Sequence, residues 1–206
     1  MSRKLIITFE GFEVSGKSLH IKNVSKHLKR NKIPFIKLRE PGGSKNSEKI
    51  RNLILNNKSN FNKTTDLLLY LAARSENIEK VIKKNNYKKV ILIDRFIDST
   101  IAYQHYGMGV SKKIINIINN YLLKNIKIGF TFLHIVNEKN LKCRLNLRKN
   151  LNRYDKFNYS FYKKVQKGFI KESTSNNKKY LIIDSNMKVN ENKNIIISKI
   201  NKILNI

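Results

Sequence analysis

Leu5-Ile6-Ile7-Thr8-Phe9-Glu10-Gly11-Phe12-Glu13-Val14-Ser15-Gly16-Lys17-Ser18 sets an apolar run directly before the spacing G-x-x-x-x-G-K-[ST]. The run reads as a buried strand, and the glycine-bounded segment as a loop whose curled backbone points N–H groups at phosphate oxygens. A helix starting at Lys17 adds its positive N-terminal dipole at the same point. In this arrangement Gly11, Phe12, Glu13, Val14, Ser15, Gly16, Lys17 and Ser18 would cradle the phosphates of a nucleoside triphosphate. Lys17 reaches the terminal phosphates, and the Ser18 hydroxyl sits on a magnesium ion. Four fixed positions also match by chance in glycine-rich turns. The placement between strand and helix is what gives the pattern its meaning, and it points to an enzyme that handles a nucleoside triphosphate.

Outward from this segment, further short apolar runs lie at 35–38, 90–93, 130–135 and 180–183, beside the first at 5–9. Most carry Ile, Val or Phe on successive positions, as strands covered on both faces do. Helical spacing falls around them, over 17–29, 48–55, 66–84, 99–106, 112–124, 139–147, 159–173 and 191–204. Ile21, Val24 and Leu28 form one apolar stripe for packing on a sheet, and Leu67, Leu71, Ile78 and Val81 form another. The alternation predicts an α/β fold, a five-stranded parallel sheet flanked by helices on both faces and joined by right-handed crossovers. Ligands in such sheets bind beyond the carboxyl ends of the strands, so chemistry is expected just after Phe9, Leu38 and Ile93.

At 206 residues the chain buries one good core and reads as a single domain over 1–206. No apolar run has the length of a signal-peptide core or a membrane span, so no membrane association is expected. Cys143 is the only cysteine, which excludes an internal disulfide and agrees with a cytoplasmic location. The formal charge of +29 raises the question of nucleic-acid binding. The lysines, however, are spread along the chain among Asn and Ile residues, as in Lys112-Lys113-Ile114-Ile115-Asn116, and no basic patch is interleaved with aromatics. The charge therefore reads as solvated surface that binds nucleic acid only non-specifically, if at all.

The two other strand ends carry unusual residues. After the second comes Arg39-Glu40-Pro41-Gly42-Gly43-Ser44, where Pro41 turns the chain from helical geometry, the glycines permit a tight turn, and Ser44 suits a helix N-cap. After the third comes Asp94-Arg95-Phe96. A carboxylate at the sheet's mouth, Asp94, can hold magnesium directly or through water, and the neighbouring Arg95 can clamp a phosphate with two N–H groups.

Together these segments resemble the thymidylate kinase family. Phe9 to Ser18 is similar to its F-E-G-x-[DE]-G-x-G-K-[ST] opening, Arg39 to Gly43 to its R-E-P-G-G segment, and Leu69-Tyr70-Leu71-Ala72-Ala73-Arg74 to its L-F-A-A-D-R helix. Asp94-Arg95-Phe96, with Ser99 and Ala102-Tyr103-Gln104, resembles D-R-[YFH]-x-x-S-x-x-A-Y-Q. The likeness runs over nearly the whole chain. It implies a P-loop nucleoside monophosphate kinase fold, ATP as phosphate donor with Mg2+, dTMP as acceptor, and a homodimer formed through packed helices. It also implies residue roles. Glu13 would accept a hydrogen bond from the 3′-hydroxyl of dTMP, Arg95 would bind its 5′-phosphate with Arg39 close by, and Tyr70 would stack on thymine. Arg74 would hydrogen-bond the base, and Thr100, Tyr103 and Gln104 would line the base and sugar pocket.

Arg144, Arg148, Lys149 and Arg153 lie where this family has a mobile lid, here about 144–156. The loop 11–18 contains no arginine, which resembles the bacterial subgroup that keeps its basic catalytic residues in the lid. The catalytic set implied is Lys17, Arg95, Arg148 and Arg153, with Asp155 orienting Arg153 through an ion pair. Several supporting positions depart from the family pattern: Val14 for glycine, Ala73 and Asn152 for aspartate, Asn77 for histidine, His105 for glycine, Met108 for arginine, and His134 where aspartate is common. If residue 14 needs a positive φ, a β-branched side chain there is costly. The alternatives are a kinase for another nucleotide or a deoxynucleoside, or a basic nucleic-acid-binding protein of the same loop type with weak or lost catalysis.

Overall fold

A computed structural model describes residues 5–149, 151–175 and 177–206. Five strands, β1 (Ile6–Gly11), β2 (Phe35–Arg39), β3 (Val90–Asp94), β4 (Phe130–Ile135) and β5 (Tyr180–Asp184), form one sheet in the order β2-β3-β1-β4-β5. Every pairing is parallel. The alternating pattern of the sequence thus produces the expected α/β architecture.

Most strands run one or two residues beyond their apolar runs. Gly11, Arg39, Asp94 and Asp184 join the ladder because a backbone pairing needs N–H and C=O groups, not apolar side chains. This extension positions the site. In the register Phe9 and Arg39 both lie opposite Asp94, while Gly11 lies opposite His134. The ladder continues past the strands, with Glu40 N–H donating to Asp94 O at 2.9 Å and Arg95 N–H to Phe9 O at 3.0 Å.

The helices are α1 (Lys17–Arg30), α2 (Lys45–Leu55), α3 (Lys63–Asn77), α4 (Lys83–Asn85), α5 (Ile97–Thr100), α6 (Lys112–Leu123), α7 (Glu138–Asn146), α8 (Tyr159–Thr174) and α9 (Val189–Leu204). Ser44 caps α2 by accepting from Ser47 N–H, so the helix begins three residues before the expected 48. Asn62 caps α3 in the same way, ahead of the expected 66. Wider π-helical segments, Ile78–Ile82 and Ile101–Gly107, interrupt two of the predicted helices. The second carries Tyr103 and Gln104, and such segments recur at functional sites.

Both sheet faces are covered. Ile7, Phe9 and Phe132 pack with Val24 and Leu28 of α1 and Ile196 and Ile200 of α9. Ile6, Ile91 and Ile93 pack on the other side with Ile78, Ile82 and Phe96. Burial of this order, about 1.5–3 kcal/mol per large side chain, makes the sheet the rigid base from which its carboxyl ends project. Among the described residues no helix is long and apolar enough to cross a membrane.

Candidate active site

The loop after β1 is built from left-handed backbone. Gly11 has φ 126°, Val14 52° and Gly16 88°. Gly11 admits no side chain, because a Cβ would stand 2.2 Å from the His134 carbonyl oxygen on β4. Val14 occupies the conformation that makes a β-branched residue costly, and Arg144 braces it by donating to Val14 O at 3.2 Å and to Ser185 O at 2.7 Å. Gly16 is the N-cap of α1, whose first turn carries no acidic residue to compete with an anion.

Lys17 is buried inside this loop. Its Nζ donates to Gly11 O at 2.9 Å and to Phe12 O, with Ser15 Oγ at 3.4 Å. Burial, reinforced by the Arg95 charge, pushes its pKa down to about 8. Next to it Ser18 Oγ donates to Asp94 Oδ2 at 2.8 Å, so the sheet register brings together the two residues assigned to magnesium.

Arg95 faces the loop across the rim. Its Nη2 pairs with Glu13 Oε1 at 2.7 Å, its guanidinium lies 5.3 Å from the Tyr103 ring centre, and Tyr103 Oη donates to Glu13 Oε2 at 2.6 Å. Burial opposes both charges, but each holds the other ionised. Glu13 keeps Arg95 above its ordinary range, and Arg95 with Lys17 keeps Glu13 below the usual carboxylate value.

The far wall comes from α3, where Asp66, Tyr70 and Arg74 recur every four residues along one face. Tyr70 meets the lid's Tyr154 edge to face, with ring centres 6.0 Å apart. Arg74 is almost fully buried. Its Nε donates to Glu40 at 2.8 Å, Nη1 to Asn119 at 2.7 Å, and Nη2 to Phe96 O at 2.9 Å and Thr100 Oγ1 at 2.8 Å. Four of its five N–H groups are therefore used inside the protein. Arg39 is half exposed and pairs with Glu48 at 2.9 Å. Arg39, Tyr70, Arg74, Arg95, Thr100, Tyr103 and Gln104 line one cavity of about 660 Å³, together with Glu13 to Ser18, Asp94 and Arg148.

The lid requires two corrections. Asp155 pairs with Arg148, at 2.6 Å, and not with Arg153. Arg153 pairs instead with Asp66, donates to Ile54 O at 3.0 Å, and lies outside the cavity wall. The reason is local. Asn152 Oδ1 accepts from Tyr154 N–H and Asp155 Oδ2 from Asn152 N–H, each at 2.8 Å, a reciprocal cap that folds Asp155 back toward Arg148 and sends Arg153 to α3. Asn150 of the expected lid lies outside the described residues.

Other departures from the family pattern also hold structure. Asn77 donates to Gly42 O at 2.6 Å and accepts from Ser44 N–H at 3.0 Å, fixing the loop after β2. His134 stacks on His20 with ring centres 5.4 Å apart, and burial holds it neutral, with its pKa well below the ordinary value. Sequence reasoning passed over Arg51, which donates to Pro41 O at 2.6 Å and lines the cleft, and Asp66. The signal was arginine itself. Only nine of the 43 basic residues are arginines, and among the described residues six arginines line the cavity beside one lysine, Lys17.

The left-handed loop after β1 thus shares one cleft at the sheet's rim with the guanidinium groups of Arg39, Arg51, Arg74, Arg95 and Arg148. Fold and cleft define a nucleoside monophosphate kinase of the P-loop type. The thymidylate kinase family model matches residues 9–196, and the chain belongs to that family. It is 35% identical over 197 residues to a thymidylate kinase of Sulfurihydrogenibium sp. (strain YO3AOP1), covering 94% of this chain and 95% of the relative. It is 39% identical over 176 residues to that of Clostridium novyi (strain NT), covering 83% and 85%. The crystal structure of thymidylate kinase from Ehrlichia chaffeensis superposes with a TM-score of 0.79 at 27% identity, covering 97% of this chain and 100% of that one.

Proposed function

We propose that the chain transfers the γ-phosphate of ATP to dTMP, giving dTDP for dTTP synthesis. The observation that carries this reading is the Arg95–Glu13 pair, 2.7 Å apart, standing between Lys17 and the α3 wall. Arg95 binds the acceptor phosphate, which is itself the nucleophile, so no side-chain base is required. Lys17 neutralises charge on the transferring group, and loop amides hold the donor phosphates. Such transfer is accelerated mainly by positioning and by charge fixed in a water-poor site. Arg148, anchored by Asp155, brings a further cation over the phosphates when the lid closes. Tyr70 offers a ring face to thymine, and Glu13 and Tyr103 bind the sugar.

Mg2+ suits the donors present. Ser18 and Asp94 supply hard oxygens side by side, and among the described residues no three His, Cys, Asp or Glu gather into an all-protein cage. A cation held by one or two protein oxygens, phosphates and water matches that set. When bound it would screen the negative charge on the triphosphate.

One domain over 1–206 carries the reaction, with the loop at 11–18 and the lid at 144–156. A homodimer is supported by exposed apolar side chains on neighbouring helices, Leu53 of α2, Leu68 of α3, and Ile114, Ile117 and Tyr121 of α6. The lone cysteine, Cys143, agrees with a cytoplasmic site of action.

The test is ADP release from ATP across a panel of dTMP, dUMP, dCMP, dGMP, AMP and thymidine. Turnover should be fastest with dTMP. Turnover with another acceptor and none with dTMP would overturn the substrate assignment.

A further inference from the structure

Glu10 stands on β1 directly before the loop, yet the transfer gives it no part. Its side chain is 1% exposed and lies outside the cavity wall, so it cannot touch a nucleotide there. It does touch Arg95's surroundings at two points. Arg95 itself has φ 65°, a left-handed conformation that costs a residue with a Cβ about 1–2 kcal/mol and needs to be held. Beyond it, the Phe96 N–H donates to Glu10 Oε1 at 2.8 Å. One turn further on, Ser99 Oγ donates to Glu10 Oε2 at 2.5 Å, and the same hydroxyl receives Arg95 Nη1 at 3.2 Å. Glu10 therefore grips the backbone that follows Arg95 and, through Ser99, its guanidinium.

We propose that Glu10 is the positioning residue that aims Arg95 at the acceptor phosphate. Glu13 holds one guanidinium nitrogen from the cleft side, and Glu10, three residues earlier on the same strand and loop, holds the other through Ser99 from the core side. The phosphate-binding segment of the donor thus sets the angle of the clamp on the acceptor. Burial, and then the neighbouring Asp98, push the Glu10 carboxyl up to about 8, so at neutral pH it is largely the neutral acid. Asp98 is itself held by a hydrogen bond from Tyr180 at 2.9 Å. A carboxamide is the uncharged isostere of the neutral acid, with its oxygen placed to accept from Phe96 N–H and its nitrogen within reach of Ser99 Oγ.

This inference rests on the reading of Arg95 as the acceptor clamp, and the test separates the two. Steady-state constants for ATP and dTMP are measured for the wild type and for Glu10→Ala, Glu10→Gln, Ser99→Ala and Arg95→Ala, with thermal melts to establish folding. Glu10→Ala should raise the KM for dTMP about tenfold to a hundredfold, because a small misplacement of a positioned group has effects of that order. Its KM for ATP should stay within about twofold, and Glu10→Gln should restore the dTMP constant. Ser99→Ala, which removes only the bridge to the guanidinium, should show a smaller shift in the same direction and serves if Glu10→Ala does not fold. If Arg95→Ala loses dTMP while folded Glu10→Ala, or Ser99→Ala in its place, leaves the dTMP constant unchanged, the positioning role falls and the clamp stands. If both KM values move together, Glu10 is a structural anchor and the inference also falls. If Arg95→Ala leaves dTMP affinity intact, the clamp itself is wrong.

Discussion

Two basic concavities lie on this molecule, and they differ in kind. Between α1 and α9 a groove of about 730 Å³ is lined by Lys26, Arg30, Lys193 and Lys202, with His27 and several asparagines. The cleft at the sheet's rim is slightly smaller, about 660 Å³. Among the described residues no groove cation is in an ion pair, whereas Arg74, Arg95 and Arg148 of the cleft are paired with Glu40, Glu13 and Asp155. Size alone would favour the groove. What marks the cleft is fixed charge, planar cations whose carboxylate partners and backbone acceptors set their direction. Guanidinium groups keep their charge when buried and match phosphate with paired N–H groups, whereas lysine on the surface is a hydrated point charge on a flexible stem. In a chain where lysine far outnumbers arginine, most of the arginines among the described residues line the cleft, where that planar geometry suits phosphate.

The comparison breaks first at its strongest points. Lys17→Ala and Arg95→Ala should each lower turnover by about a thousandfold or more, the scale of losing a charge aimed at the transition state. Arg95→Lys should recover little of that loss, since an ammonium cannot hold Glu13, Ser99 and a phosphate at once. Lys26→Ala and Lys193→Ala in the groove should leave turnover within about twofold, as surface changes away from a site do. Near-normal activity in Arg95→Lys, or a large loss in the groove variants, would erase the distinction between the two basic surfaces. A kinetic comparison of the five purified variants decides it.

A second contrast lies within the lid. Arg148 lines the cleft and Arg153 is held by Asp66, so Arg148→Ala should lower kcat about tenfold to a hundredfold, on top of any loss of melting temperature from the buried Asp155 it leaves behind. Arg153→Ala strands the buried Asp66 carboxylate and should show mainly as a lower melting temperature. The reverse pattern would mean that Arg153 leaves Asp66 and enters the cleft in the working enzyme.

Much of this was legible in the chain. The strands could be read because most are apolar on successive positions, and the alternation of strand and helix already put the segments after Phe9, Leu38 and Ile93 at one rim. The motif residues of the loop after β1, Arg39–Gly43 and Asp94–Phe96 were legible for the same reason, since each segment follows a strand end. The lid's ion pairs were not. Whether Asp155 meets Arg148 or Arg153 depends on the reciprocal cap at Asn152, a backbone geometry that charge and spacing do not encode. Asp66 was read as the start of a helical pattern, and only the fold brings it to the lid. Arg51 sits on an otherwise ordinary amphipathic helix and becomes visible only through the scarcity of arginine. The π-helical widening at Tyr103 and Gln104 likewise leaves no mark in hydrophobic periodicity.

Protonation gives a finer test. Glu10 has its pKa raised to about 8 in the fold from an ordinary 4.5, so between those values the unfolded chain releases a proton that the folded chain keeps. Its contribution is therefore complete below the unfolded value and is lost as pH rises through the folded one. Glu10→Gln cannot ionise, so its stability relative to the wild type should improve as pH rises from 5 to 8, by on the order of 1 kcal/mol per unit at most. Denaturant titrations at several pH values would show parallel curves instead if the carboxyl were already ionised in the folded protein.

The smallest effect concerns the loop's own strain. Val14 holds φ 52°, a conformation costing roughly 1–3 kcal/mol for a non-glycine residue and expensive for a β-branched one. Glycine removes that strain but loosens the unfolded chain by about 0.4–1 kcal/mol, so Val14→Gly should stabilise the protein by about 1 kcal/mol. For a chain of this length that is about 2–4 °C in melting temperature. Arg144 also enters the balance, because its hydrogen bonds to Val14 O and Ser185 O tie the strained crest to the segment after β5. In the Val14→Gly background, Arg144→Ala should therefore lose less stability than in the wild type. A double-mutant cycle measures the difference, and additive effects would mean that Arg144 braces the loop independently of the strain at Val14.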